Sequence, residues 1–281
     1  MRILFVLMAL LSGVVHASAI DRDYKSHDDE GTISVNSWRF SLTLGYGVID
    51  SPVALHENFD FYALPSISWY GERFYFENGL AGFSLYENTR QQFDIVLYPG
   101  FEGVLFNLSH ANALSILTPV PYGTNEVFIL ELADRDLAWM GGLRYAYRWQ
   151  GIEWALSLAT DASDVHDGWE SALSFQHFDA IKGEQWHLGY MLRASYKNQS
   201  IVDYYYGFQA DDLYVPPLNA TPEARAGFLY EAQFNAEYRL SSHWSLKALY
   251  RYSEYDQHIS ASPILETAKM QTWFAGVGYN F

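Results

Sequence analysis

Cysteine is absent from the 281 residues. That excludes a disulfide framework, a thiolate metal centre and any thiol nucleophile. Beyond residue 20 there is also no apolar run of about 18 residues, the length a membrane-crossing helix needs. Positive charge is scarce: 17 Lys and Arg stand against 33 Asp and Glu, a formal net charge of −16. A polyanion such as nucleic acid is therefore excluded as a partner. Acidic loops suit a different setting, the cation-bridged lipopolysaccharide surface.

Aromatic residues, by contrast, are plentiful: 22 Tyr, 18 Phe and 9 Trp. A transmembrane β-barrel uses such side chains in two girdles, where an apolar ring with a polar tip sits at headgroup level. The N-terminus fits export. Met1–Ala19 carries one charge, Arg2, then an apolar core from Ile3 to Leu11, and ends in Ala17-Ser18-Ala19. This reads as a cleaved signal peptide over 1–19. Its removal takes away one positive charge and moves −16 to about −17. Residues 20–34 are polar, with Asp28-Asp29-Glu30, and read as a periplasmic N-terminal arm. Residues 35–281 then form the barrel.

At the other end, Trp273, Ala275, Val277, Tyr279 and Phe281 fall on one face of a strand by the period of two. This strand resembles the terminal signature strand that the barrel assembly machinery reads. Those five residues are the candidate assembly signal. The same alternation recurs along the chain. Trp38–Tyr46, Phe61–Trp69, Phe93–Leu97, Leu137–Trp149, Ile152–Leu158, Trp169–Phe175 and Trp186–Tyr196 read as strands. So do Val202–Phe208, Phe228–Leu240, Trp244–Tyr252 and the final segment. Phe74 and Phe76 are out of step with Phe83 and Leu85, which predicts one strand bulged near Gly79–Gly82. Pro65 and Pro99 predict further irregularity.

The expected fold is thus all-β, an antiparallel transmembrane barrel of about 12 strands, or 14 if segment 106–136 adds a hairpin. An even count puts both termini in the periplasm. The turns at 241–242 and 198–199 are then expected on the periplasmic side, and the connections 209–226 and 257–268 outside. Segment 106–136 is expected as a periplasmic excursion that partly folds into the lumen.

Five stretches carry a family resemblance. They are Leu44-Gly45-Tyr46-Gly47-Val48 with Leu64-Pro65-Ser66-Ile67-Ser68-Trp69-Tyr70, and Glu72–Glu77 with Gly79-Leu80-Ala81-Gly82. Leu132–Asp136 with Gly142–Tyr145, the turn Asp161–Gly168, and Tyr205–Phe208 with Gly278–Phe281 complete the set. Their order resembles the MipA/OmpV family, the MltA-interacting outer-membrane proteins. The chain departs from it at Ser163-Asp164, where the family usually has Ser-Gly, and in the hydrophobic segment 113–132. The resemblance implies a non-enzymatic barrel scaffold in the bacterial outer membrane. Its implied partners are a lytic transglycosylase and a peptidoglycan synthase. Adhesion and stress responses are implied for other members.

Three constellations bear on chemistry. His243 and Ser245, two apart, have the spacing of an outer-membrane lipid hydrolase pair. The strand parity turns both to the lumen at the periplasmic end, away from lipid substrate, so no catalytic residue is assigned. Asp161, Asp164, His166 and Asp167 have the composition of a cation loop, but Asx-turn chemistry with Gly168 in the strained position accounts for them. No metal or cofactor site is assigned. Arg39, Arg73, Glu77, Arg144, Arg148, Glu153, Arg193, Glu237, Arg239, Lys247 and Arg251 fall off the apolar parity. They line either a small-solute channel or a lumen closed by ion pairs. A barrel this narrow favours closure.

Overall fold

The computed structural model describes residues 36–53, 58–111, 130–131, 133–180, 185–209, 212–214 and 224–281. The expected signal peptide and N-terminal arm lie outside these residues, as does most of segment 112–132. The chain runs β1 (Ser37–Ile49), β2 (Phe59–Tyr70), β3 (Phe74–Glu77), β4 (Leu80–Glu87), β5 (Gln91–Pro99), α1 (Phe101–Ala111) and β6 (Leu130–Glu131). It continues with β7 (Trp139–Trp149), β8 (Ile152–Asp161), β9 (Trp169–Ala180), β10 (Trp186–Lys197), α2 (Gln199–Tyr206), β11 (Leu213–Tyr214), β12 (Gly227–Arg239), β13 (Trp244–Tyr255) and β14 (Lys269–Asn280). Twelve strands close into one antiparallel barrel, while β6 and β11 pair separately. Closure is made by β1 on β14, in register from Ser41 opposite Asn280 to Ile49 opposite Thr272.

The wall follows the two-residue period. Trp273, Ala275 and Val277 face out with Phe281, and Tyr279 is half-buried beside Trp244 and Phe281 on the same face. Thr272, Phe274 and Gly278 face in and are buried. Rings cluster at the two ends of the wall: Trp38 on Trp69 at one, Tyr46 on Trp273 at the other. At the Phe281 end the connections are short turns, among them Gln150-Gly151 with both φ positive. Long connections lie opposite. Short turns mark the periplasmic side of such barrels and long loops the outer side.

The strand count matches expectation through two compensating differences. Phe74–Leu85 is not one bulged strand but the hairpin β3–β4, turned by Asn78-Gly79 at φ 47° and 98°. The bulge in this region lies between Ser84 and Tyr86. Conversely, Val202–Phe208 is not a strand. Asn198, in extended conformation, accepts from the Ile201 N–H and caps α2. Ile201, Val202, Tyr205 and Tyr206 then bury one helical face. Three consecutive tyrosines satisfy either period, so alternation did not discriminate there. As a result Asn198-Gln199 lies at the outer end of β10, not on the periplasmic side. Helix α1 follows β5 at the same outer end, so the start of segment 106–136 is an inward fold from outside rather than a periplasmic excursion.

One strand outruns its neighbour. β3 meets β2 only from Ser68 to Tyr70. Beyond it, Asn78 takes both backbone groups of Ile67, accepting from its N–H at 2.9 Å and donating to its carbonyl at 2.9 Å. Two residues on, Pro65 faces the same edge and has no N–H to satisfy.

Barrel closure depends on small residues at the seam. Gly45 and Gly276 are opposite each other. A Cβ on Gly45 would meet the Ala275 carbonyl at 2.0 Å, and one on Gly276 the Leu44 carbonyl at 2.5 Å. Gly45→Val and Gly276→Val are each expected to abolish the compact, heat-modifiable band of the folded barrel in electrophoresis. Gly141→Ala, whose nearest foreign atom would be 3.3 Å away, should retain it.

Candidate functional site: a lumen closed outside and open to the periplasm

Two ion-pair clusters fill much of the lumen. In the first, Asp94 on β5 accepts from the Tyr75 hydroxyl, the Ser84 hydroxyl and the Gln92 amide, each at 2.9 Å. Arg144 on β7 bridges Asp94 and Glu153. Arg148 donates to Glu153 at 3.0 Å and also to Gln92, and Gln176 donates to Glu153 at 3.0 Å. In the second, Lys197 on β10 lies between Glu102 and Glu170. The Tyr98 hydroxyl donates to Glu170 at 2.6 Å. Arg193 approaches Glu170 and Glu231 at 3.8 Å, and Arg251 donates to Gln233 at 2.8 Å. Glu102 belongs to α1, so this second cluster ties the helix to the wall.

Apolar packing completes the outer closure. Val104 and Leu105 of α1 are buried with Ile49, Phe61, Leu249, Met270 and Phe274. Phe106 packs with Tyr205 and Tyr206 of α2 and with Val53, Ile259 and Ile264 from the outer loops. The Tyr206 hydroxyl donates to that of Tyr255 at 3.0 Å. Arg135 pairs with Asp212 at 2.7 Å, both fully buried. Burial alone would raise the Asp212 pKa. The Arg135 guanidinium and the N–H groups of Gln209 and Ala133 outweigh it and hold the carboxyl below its usual range.

The Asp161–Gly168 segment is turn chemistry. Asp161 accepts from the N–H groups of Ser163, Val165, His166 and Asp167 and from the Ser163 hydroxyl. The strained positions are Asp164 and Asp167, at φ 56° and 53°, not Gly168. Glycine is the least costly residue at a positive φ, and Asp tolerates it. That accounts for the Ser163-Asp164 departure without a change of turn. Gly168 is needed for space, since a Cβ would lie 2.5 Å from Ile201 Cγ1.

His243 and Ser245 do not form a pair. Ser245 faces the lumen, but His243 sits in the turn before β13, exposed, bonded to the Ser242 hydroxyl at 2.9 Å and stacked on Tyr279. The turn releases His243 from the strand's alternation. Arg73 likewise lies exposed in the turn between β2 and β3 rather than in the lumen.

Away from the two clusters, the periplasmic mouth is open. Ser41, Asn235, Glu237, Lys247 and Gly276 are partly exposed and Arg39 is exposed. One lateral row crosses four strands: Thr43, Gly278, Ser245, Arg239. The Ser245 hydroxyl is buried and has no hydrogen-bond partner among the described residues.

Asp94, Glu170 and Lys197 were missed as luminal groups, although each alternates with an outward residue: Phe93 or Ile95, Trp169, Tyr196. Glu102 had no such signal, because α1 was not foreseen.

These features define an outer-membrane β-barrel whose lumen is plugged from outside. A family model described as "MltA-interacting protein MipA" matches residues 42–281. The chain belongs to that family. It is similar to the "MltA-interacting protein" of Escherichia coli K12, at 24% identity over 278 residues, 98% of this chain and 96% of that protein. It is also similar to the "Putative outer membrane protein YiaT" of the same strain, at 26% identity over 221 residues, 78% of this chain and 82% of that one. Among solved structures, the CymD monoaromatic hydrocarbon channel aligns at a TM-score of 0.37 and 11% identity, covering 97% of this chain and 92% of the channel.

Replacing Lys197 by Met strands Glu102 and Glu170, each without its ammonium partner. The expected cost is about 3–5 kcal/mol in urea unfolding, the range for breaking a buried pair. Adding Glu102→Gln should recover part of it, so the double-mutant cycle should show coupling. His166 gives a pH prediction. Its Nδ1 accepts from the Gly168 N–H at 2.9 Å, and burial pushes its pKa down. The neutral ring is therefore the folded form. Its contribution is complete above the unfolded value of ~6.5 and is lost as pH falls below it. Amide exchange at 161–168, corrected for intrinsic rates, should accelerate between about pH 7 and 5, and His166→Phe should flatten that dependence.

Proposed function

We propose that this barrel is a non-catalytic scaffold that holds murein-processing enzymes at the periplasmic face of the outer membrane. The observation that carries the reading is the closure of the lumen from outside by α1, α2 and the ion-pair clusters. A solute channel would need a water-filled path where Val104, Leu105 and Phe106 are buried. A lipid hydrolase would need a nucleophile in reach of a base, and Ser245 has none among the described residues. Family membership and a relative named for its interaction with MltA support a lytic transglycosylase as one partner; a peptidoglycan synthase as a second is what the family resemblance implies. The outward residues of β14, Trp273 to Phe281, would serve the assembly machinery earlier in the protein's life.

Affinity capture from detergent-solubilised envelopes, using the full-length barrel as bait, should return a lytic transglycosylase above the level seen with an unrelated barrel. Equal recovery from both baits would contradict the scaffold reading.

A further inference from the structure

Charge is distributed unequally between the two ends. At the periplasmic end the exposed charged residues are Arg39, Arg73, Arg90 and Arg239, against Glu72, among the described residues. At the outer end they are mostly carboxylates, Asp134, Asp136, Asp164, Asp167, Asp203 and Glu266 among them. A basic rim on a strongly acidic chain is a local field of the opposite sign.

The lumen repeats the contrast. Arg144, Arg148, Arg193, Lys197 and Arg251 all lie within ion-pair distance of a carboxylate. Arg39, Arg239 and Lys247 have no such ion pair among the described residues. They cluster on the arc made by β12, β13, β14 and β1. Among the described residues Glu237 is the one side-chain carboxylate beside them, opposite Lys247 in register. Between these cations the wall is small and polar. A Cβ on Gly278 would lie 3.1 Å from the Ser245 hydroxyl, 3.1 Å from the Thr43 hydroxyl and 3.2 Å from Lys247 Cε. The two hydroxyls and the lysine stem thus close tightly over Gly278, and this stretch of wall is packed and buried, with the lysine head, Ser41 and Asn235 left partly exposed around it.

We infer that this arc is a binding site for the carboxylate-bearing peptide stems of murein. Arginine at the mouth presents a forked donor matched to a carboxylate. Ser41 and Asn235, partly exposed on the luminal faces of β1 and β12, offer further polar contacts. Phospholipid phosphate is the poorer occupant, because Arg39 and Arg239 have luminal parity while Trp38, Phe40, Tyr238 and Leu240 take the lipid side. An acidic protein face is also poorer, because the arc offers no aromatic or aliphatic anchor of the kind that carries protein interfaces. Binding to the polymer goes beyond holding its enzymes and depends only on which way the mouth faces.

Co-sedimentation of the purified full-length barrel, in neutral detergent at low salt, with isolated sacculi tests this. The wild-type protein should pellet, and binding should fall as salt rises. Arg39→Gln/Lys247→Gln/Arg239→Gln should weaken binding by about tenfold while keeping the heat-modifiable folded band. Arg39→Lys/Arg239→Lys should retain most of it, and Arg225→Gln at the outer end all of it. Sacculi whose stem carboxylates have been amidated should bind no better than the triple variant. The inference is overturned if the wild-type protein stays in the supernatant, if the folded triple variant pellets equally, or if amidation changes nothing. It is also overturned if phosphatidylglycerol vesicles compete with sacculi for the wild-type protein. Each of these outcomes leaves the recovery of enzymes by affinity capture where it was.

Discussion

Inside a bilayer there is no water to hydrogen-bond a stray N–H or carbonyl, so every backbone group of the wall must find a partner within the protein. The pairing of β1 with β14 is what satisfies that demand. Without it both strands would present an open edge to lipid. The approach is close enough that Gly45 and Gly276 have no room for side chains. The same rule governs the place where β2 outruns β3, with Asn78 serving Ile67 and Pro65 arriving with no donor to serve.

A closed wall of alternating residues creates a polar interior, and a narrow one must be filled or wetted. This chain does both. On the β4–β10 side the charges are drawn into two clusters, and Glu102 fastens α1 into the second. Above them, an apolar dome of helices and outer loops excludes water. Toward the periplasmic end of the arc from β12 to β1, Arg39, Arg239 and Lys247 have no ion pair among the described residues, and solvent enters from the periplasm. The lumen is therefore a cup rather than a tube.

Much of this was legible in the residues, and the failures have specific causes. The outward faces of β1, β7, β12, β13 and β14 follow directly from period-two alternation, because lipid imposes it. The Asn78-Gly79 hairpin was legible too, since Asn-Gly is a strong turn signal, but the aromatic mismatch beside it suggested a bulge instead. Helix α2 was hidden, because Tyr204-Tyr205-Tyr206 carries no periodic contrast and the Asn198 cap reads equally as a turn. Asp94, Glu170 and Lys197 went unread although their parity was enough to find them. Parity had no access to Glu102, whose position depends on a helix folding into the barrel. His243 failed for the converse reason: it lies one residue outside the strand whose parity was extended to it.

The two ends differ in shape and in charge, and that difference is the functional content of the fold. The outer end is sealed and acidic. The periplasmic end is open, ringed by arginine and aimed at the compartment that contains the murein and its enzymes. The chain's lack of cysteine makes this asymmetry directly measurable. Asn235→Cys places a single thiol on the half-buried luminal face. A membrane-impermeant maleimide added to intact cells should leave it unmodified, and the same reagent after outer-membrane permeabilisation should label it. Labelling in intact cells at the permeabilised rate would mean that the lumen opens outward, and the closed-cup account would be wrong.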